Sequence, residues 1–327
     1  MVVATLITLS VQGCGTGATA QATSGTAHDL SIAEAQSVYQ TYLTTSDSAA
    51  AQGDQAAGLA NLSDAQWEIV HGQYAALAHA GIPVPRYQYG TPDFYVPALS
   101  GYPKWFMVAV PRHPLGASDA VTTLMTFEQA KSSNVWTLTG SAALDAGQSL
   151  PAVSRDSAGY AIALSTRDSS LLVPPDAVGA TQAAVVDDGP ASPAAAVISS
   201  NPQTTGLYAE QSAYASTHTS HDVQYTFLMQ GASFPVFALR TADGGALVAY
   251  GMFLNTTTEH PNASLGAPIP VPAALSPLLA ATTEVGLHAV YANWTYQFAA
   301  IDPPASAHDQ KLTDIAATGG PSLVHAN

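Results

Sequence analysis

Two stretches in the first quarter of the chain place apolar residues at helical spacing. After Ser31, apolar or aromatic residues recur every three or four positions to about Thr45. Glu34 stands three residues after Ser31, which is the spacing of a capping box. A second periodic stretch follows Ser63 and ends at Gly81. The pattern predicts two amphipathic helices, each with one face on a core.

The pattern then changes to short runs rich in aromatic and β-branched residues. Gly, Pro, Asn and Ser separate these runs, which follow one another at intervals of about 10–15 residues. Such a succession predicts strands of an antiparallel meander. The runs are residues 87–89, 93–96, 105–110, 121–127, 135–139, 160–164 and 170–173.

The same order of elements follows the Pro174-Pro175 pair, which predicts a boundary. Helical patterns come first again, and strand patterns come after them. The Asp243-Gly244 pair predicts a tight hairpin turn between two of these strands. The helical patterns cover residues 177–186 and 206–217, and the strand patterns cover residues 223–229, 236–240, 247–254 and 285–300.

Helices followed by a curved sheet, in both halves, resemble the cystatin-like and NTF2-like architecture. The resemblance implies an α+β protein with two related units, each with helices packed on a curved antiparallel sheet. The expected division is a first domain at 31–173, a second at 174–304 and a C-terminal tail at 305–327.

A local similarity supports an internal duplication. Tyr102-Pro103 leads into a strand in the first half, and Phe234-Pro235 leads into a strand in the second. Each is followed downstream by a strand that contains Met and Phe. Chance similarity between antiparallel segments is the alternative to duplication.

The N-terminal segment has a different composition. Residues 2–11 form an apolar run that is too short to cross a bilayer and has the length of a signal-peptide core. Gly13 and Cys14, the one cysteine of the chain, follow this run. The segment resembles the lipobox of bacterial lipoproteins, although no Lys or Arg precedes the run. The alternative is a frayed terminus with an incidental cysteine.

The lipobox resemblance implies a signal peptide at 1–13, lipidation of Cys14 and a flexible tether at 14–30. The protein would then be extracytoplasmic, held at the outer face of the membrane by its lipid. Ala-rich and Lys-poor usage is similar to that of actinobacterial genes. The whole chain resembles uncharacterised actinobacterial lipoproteins of the cell envelope, and that resemblance carries no chemistry.

The charge balance excludes one class of partner. The chain has 8 Lys and Arg against 23 Asp and Glu, a net charge of −15. The basic residues are scattered singly, whereas nucleic-acid binding needs several phosphate-neutralising cations in one place. We therefore expect no nucleic-acid partner. At 47%, hydrophobic residues are numerous enough for a sizeable core.

No motif of known catalytic, cofactor or metal chemistry stands out. The chain lacks a Gly-x-Ser-x-Gly elbow, a His-Glu-x-x-His pair and a Walker A loop. His218, His221 and Asp222 lie close together, but a Ser/Thr-rich surface loop explains them better than a metal site. We therefore predict no cofactor and no metal, and catalysis is less expected than binding.

Aromatic residues of the first half are the best candidates for contact with a ligand. They could line a pocket for a sugar or an apolar molecule, although at these spacings aromatic residues more often belong to a core. The candidates are Trp67, Tyr87, Tyr89, Tyr95 and Trp105.

Two functions are compatible with these observations. The first is a lipid-anchored, non-catalytic binding or scaffold module of the cell envelope, with an unknown ligand or protein partner. The alternative is a small-ligand-binding protein or enzyme that uses a cavity in the curved sheet. A deep apolar pocket with convergent polar groups would favour the alternative, and a filled core in both halves would favour the first.

Overall fold

The computed structural model describes residues 29–131, 133–220, 222–261, 267–279, 285–286 and 288–327. Within these residues the chain forms five α-helices and twelve strands. The helices are α1 (Ile32–Gln52), α2 (Gln55–Leu59), α3 (Asp64–Ala80), α4 (Val178–Asp188) and α5 (Leu207–His218). The strands are β1 (Tyr87–Tyr89), β2 (Asp93–Tyr95), β3 (Lys104–Pro114), β4 (Val121–Gln129), β5 (Trp136–Leu144), β6 (Gln224–Gly231), β7 (Phe237–Arg240), β8 (Ala246–Glu259), β9 (Ile269–Pro270), β10 (Val285–Gly286), β11 (Ala289–Asp302) and β12 (Thr313–Ala326). The predicted α+β class is confirmed.

The first two predicted helices are present, and their ends have clear causes. The Oγ of Ser31 accepts a hydrogen bond of 3.1 Å from the backbone N–H of Glu34, which fixes the start of α1. The helix continues past the predicted end to Gly53, whose φ of 66° closes it in the left-handed conformation. Ser63 precedes α3, but its Oγ lies 2.8 Å from Thr137 Oγ1 and makes no cap bond.

Ten of the described strands form one antiparallel sheet with the order β1-β3-β4-β5-β12-β11-β8-β6. In addition, β2 pairs with β3, and β7 pairs with β8. The two sides of the sheet have the same connectivity, since β1 and β2 share one edge of β3 as β6 and β7 share one edge of β8. The duplication itself stays a prediction.

The expected C-terminal tail at 305–327 is wrong, because most of this segment forms β12, a strand in the middle of the sheet. β12 occupies most of that segment and pairs with β5 at Ala316 and Ala317 and with β11 along nearly its whole length. Two glycines and a proline make the segment resemble a loop. The strand tolerates Pro321 because the register shifts by one residue beside it, opposite Asn293 and Trp294.

The expectation of two domains with separate cores, 31–173 and 174–304, is also wrong. β3 alternates between two apolar faces, with Phe106 and Val108 on one side and Trp105 and Met107 on the other. The second side needs a cover, and strands of the second half supply it, because the rings of Trp105 and Phe237 lie 5.1 Å apart. One inner core is therefore shared by both halves.

An irregular segment joins the outer edges of the two halves. Residues 160–164 and 170–173, expected as strands, make only isolated bridges. Ala161 bonds to Val96 after β2, and Leu164 bonds to Ala238 on β7. The sheet is thereby curved strongly enough for one segment to contact both edges.

The outer face of each half carries its own helices. α1 covers the first half over a core that includes Leu30, so the predicted tether at 14–30 ends before that residue. α4 and α5 cover the second half over β6, β8 and β11. α3 packs where the two halves of the sheet meet, against β5, β12 and β11.

Candidate functional site

A cavity of 550 Å³ lies between α5 and the outer face of the second half. Pockets of about 300–1,000 Å³ are typical of small-molecule sites. Strands β6, β8 and β11 form its floor, α5 forms one wall, and the segment after β9 forms another. The lining residues are Glu210, Gln211, Ala213, Tyr214, Thr217, Tyr225, Leu254, Thr256, Thr258, Pro272, Ala274, Leu275, Val290, Ala292, Trp294 and Tyr296.

Strand alternation produces the floor of the cavity. Thr256 pairs with Ala292 and Leu254 pairs with Trp294, so the alternate residues of β8 and β11 form adjacent rows on one face. α5 buries only Leu207 among its residues and contacts the sheet mainly at β6, which leaves the cavity open above β8 and β11.

Polar groups converge on one side of the apolar cavity. The hydroxyl of Tyr225 donates a 2.7 Å hydrogen bond to Gln211 Oε1, which ties β6 to α5. Burial, assisted by the negative charge of Glu210, raises the pKa of Tyr296 to about 12. The tyrosine hydroxyls therefore stay protonated at neutral pH and can donate or accept hydrogen bonds.

Aromatic rings form the edge of the cavity at α5. Tyr214 stacks on His218 with their ring centroids 3.7 Å apart, and its ring lies 4.7 Å from that of Tyr225. Tyr214 keeps 36% of its surface exposed, so it lies at the boundary between the cavity and solvent.

The corresponding face of the first half has a smaller opening, 280 Å³ between α1 and strands β4 and β5, and more aromatic side chains. Tyr39 of α1 makes edge-to-face contacts with Phe94 at 5.5 Å and Phe127 at 6.2 Å. Phe127 also stacks on Phe106 at 4.9 Å. These rings fill part of the space between α1 and the sheet.

A polar cluster lies inside the core of the second half. The hydroxyl of Tyr250 lies 2.9 Å from Gln182 Oε1 and 2.6 Å from Asp314 Oδ1. A hydroxyl has one proton, so a protonated Asp314 can donate to Tyr250 while Tyr250 donates to Gln182. Burial raises the pKa of Asp314 to about 6, so this arrangement forms below about pH 6.

The structure does not bring the five predicted ligand-binding residues together. Tyr95 and Trp105 are buried in the shared inner core. Trp67 is exposed on α3, with its ring stacked 4.9 Å from that of His71. Tyr87 and Tyr89 line a smaller cleft on the first half. Cys14 lies outside the described residues.

The sequence patterns do not single out Tyr225 and Trp294 as cavity residues, although both line the cavity. The alternation of β11 reveals which residues share a face, but it does not reveal how far away the covering helix lies. One signal was present, because α5 has few large apolar residues for its length. A helix with so little apolar surface cannot fill the space above a sheet.

Two further findings bear on the expected chemistry and location. Among the described residues, no group of three or more His, Cys, Asp and Glu side chains could hold a metal ion. His221 lies outside the described residues. Of the described helices, none combines the length and the apolar character that crossing a membrane requires.

Comparison with known proteins gives a family without an assigned role. Neither the curated proteins nor the solved structures that were compared match the chain. A family model described as "Domain of unknown function (DUF8094)" matches residues 28–319, which include the helices and nearly all of the sheet. The chain therefore belongs to the DUF8094 family.

Proposed function

We propose that the protein is a non-catalytic binding protein that holds a small, neutral, mainly apolar ligand in the cavity beneath α5. The observation that carries the proposal is the 550 Å³ cavity, which has apolar walls and a few convergent polar groups. A scaffold protein would need no such space, so the cavity supports ligand binding over a scaffold role.

The lining limits the chemistry of the ligand. Glu210 is the one carboxylate among the described lining residues, and no Lys or Arg accompanies it. An anionic ligand would meet a negative charge without a compensating cation. A neutral molecule with an apolar body and one or two hydroxyl or amide groups fits best, with those groups at Gln211, Tyr225 and Tyr296.

The same lining favours binding over catalysis. Among the described lining residues there is no His, Cys or Lys to act as nucleophile or general base. A single carboxylate beside tyrosines suits recognition of a hydroxyl group.

We propose further that the protein acts in the cell envelope, anchored by lipid on Cys14 to the outer face of the membrane. The apolar run at 2–11 and the single cysteine support this location. Mass spectrometry of the membrane fraction tests it, and the expected product begins at a lipidated Cys14. A mature chain that retains residues 2–13, or an unmodified Cys14, would refute the anchor.

Titration with N-phenyl-1-naphthylamine, a neutral apolar fluorophore, tests the cavity. We expect saturable binding with enhanced fluorescence. Ala292→Phe places a ring above β11 inside the cavity and should reduce the affinity by about tenfold or more. Ala51→Phe adds the same ring to an exposed position of α1 and should leave the affinity unchanged.

Equal affinities for the wild type and Ala292→Phe would place the fluorophore elsewhere and overturn the proposal. Thermal melting of each variant in the absence of fluorophore shows whether it folds. Thr256→Leu provides a milder change of the same floor. It removes one polar group and should preserve binding of the apolar fluorophore.

A further inference from the structure

A second opening, a cleft of 220 Å³, lies on the first half between α1, α3 and strands β1 and β3. Its lining includes Gln66, Gln73, Tyr87, Tyr89 and Arg112. In contrast to the cavity beneath α5, its lining contains a cation and no carboxylate among the described residues.

Arg112 differs from the other four arginines of the chain. Within the described residues each of those four forms an ion pair with an aspartate, whereas Arg112 has no carboxylate within ion-pair distance. This is unusual in a chain with a net charge of −15. The pairs are Arg86–Asp47, Arg155–Asp93, Arg167–Asp176 and Arg240–Asp168.

Neighbouring groups hold Arg112 in place. Its Nε donates a 3.1 Å hydrogen bond to Thr123 Oγ1 on β4. Its guanidinium lies over the ring of Tyr87, 4.9 Å from the centroid. Burial raises the pKa of Tyr89, and the positive charge of Arg112 opposes that rise, which places the guanidinium close to the hydroxyl of Tyr89.

A buried hydroxyl in the same cleft lacks a partner within the described part of the chain. Ser141 lines the cleft, is 1% exposed, and its Oγ makes no hydrogen bond. Buried hydroxyls are normally paired, because an unpaired one costs about 1–3 kcal/mol. An unpaired hydroxyl and an arginine without a carboxylate therefore line the same cleft.

We propose that this cleft binds a small carboxylate, with the guanidinium of Arg112 as the main contact. Nε of Arg112 is already used by Thr123, and part of the guanidinium faces the hydroxyl of Tyr89, so its remaining N–H groups are the donors for a carboxylate. Gln66 Oε1 accepts a 3.1 Å hydrogen bond from Gln297 Nε2, so Gln66 Nε2, the amide of Gln73 and the hydroxyl of Ser141 are available to the rest of the ligand. The volume limits the ligand to the size of a simple organic acid.

This site is independent of the proposed function, because it lies on the other half and selects an anion, which the cavity beneath α5 disfavours. Benzoate and its neutral counterpart benzamide are suitable probes. Both are titrated into isotope-labelled full-length protein, and amide chemical shifts report the affinity and the location. Benzoate should shift the amides around Ser141 and Arg112, and benzamide should bind about tenfold more weakly or not at all.

Arg112→Gln should lower the affinity for benzoate about tenfold or more. Arg167→Gln removes the same charge at an exposed, remote position and should leave the affinity unchanged. Gln73→Glu adds a negative charge at an exposed position on the cleft wall, and it should weaken benzoate binding without touching the core.

Several outcomes would overturn the proposal. Equal binding of benzamide and benzoate would show that charge is not recognised. Shifts confined to Tyr225 and Trp294 would place benzoate in the other cavity. If Gln73→Glu binds benzoate as tightly as the wild type, the ligand does not occupy this cleft. That result would overturn the proposal even if Arg112→Gln failed to fold.

Discussion

The two halves of the sheet have the same connectivity, but they differ in what lies between helix and sheet. In the first half, α1 runs for 21 residues and inserts Tyr39 among the rings of Phe94 and Phe127. In the second half, α5 runs for 12 residues and buries only Leu207. The same topology thus leaves an opening of 280 Å³ beneath α1 and a larger cavity of 550 Å³ beneath α5, because α1 carries more large side chains into the space above the sheet.

The sharpest test of this difference is to remove a large side chain from each half. Phe127→Ala should lower the free energy of unfolding by about 3–5 kcal/mol, because it leaves a void in close packing. Tyr214→Ala at the edge of the second-half cavity should cost less than about 1 kcal/mol, because that ring is partly exposed. Urea unfolding measures both, and similar losses would show that the second half is packed as tightly as the first.

Asp314, one of two buried aspartates in the second half, should make stability depend on pH. The pKa of Asp314 is raised from 3.8 to about 6 by burial, so the folded protein holds this proton more tightly than the unfolded chain. The resulting stabilisation, about 3 kcal/mol, is complete below about pH 4 and is lost as the pH rises through 6. Unfolding measured from pH 4 to 7 should therefore show falling stability.

Asp314→Asn should reduce that slope, since the amide does not titrate. Asp309→Asn changes an exposed aspartate nearby in the sequence and should leave the slope unchanged. If the Asp314→Asn profile matches that of the wild type, another group causes the pH dependence.

The joint between the halves can be tested at Gly72 of α3. A Cβ at this position would lie 2.0 Å from the carbonyl oxygen of Pro321 on β12, so helix and strand must separate. Gly72→Ala should therefore cost about 1–3 kcal/mol despite the higher helix propensity of Ala. Because the inner core is shared, calorimetry should still show one transition at a lower temperature. Two separate transitions would mean that the halves unfold independently.

The smallest expected effect compares two tyrosine hydroxyls. Tyr39 OH is buried in the first half without a hydrogen-bond partner in the described residues, so Tyr39→Phe should raise stability by about 1 kcal/mol. Tyr225 OH donates to Gln211, so Tyr225→Phe should lower stability by about 1 kcal/mol. Paired unfolding curves give both signs, and the same sign for both would contradict this account of the hydrogen bonds.

Local signals in the sequence predicted local structure well. Ser31 with Glu34 marked the start of α1, Gly81 marked the end of α3, and Asp243-Gly244 marked the turn between β7 and β8. Each of these positions depends on backbone geometry within a few residues, which the sequence encodes directly.

Long-range structure could not be predicted in the same way. The run at 105–110 is apolar on both faces, which indicates a strand covered on both sides, but not which segment covers it. The segment at 313–326 contains turn residues, and its role depends on open sheet edges far away in the chain. The cavity depends on the height of α5 above the sheet, which follows from packing and not from periodicity.

The position of β12 also sets the order in which the protein can fold. This strand follows every other described strand in the chain, yet it pairs in the middle of the sheet, between β5 and β11. While the chain is being synthesised, both halves therefore have an exposed edge at β5 and β11 until the last strand emerges. Such late pairing across the chain slows folding and leaves two edges open to aggregation. If synthesis stops before β12, β5 and β11 both lack their shared neighbour, so neither half of the sheet is complete.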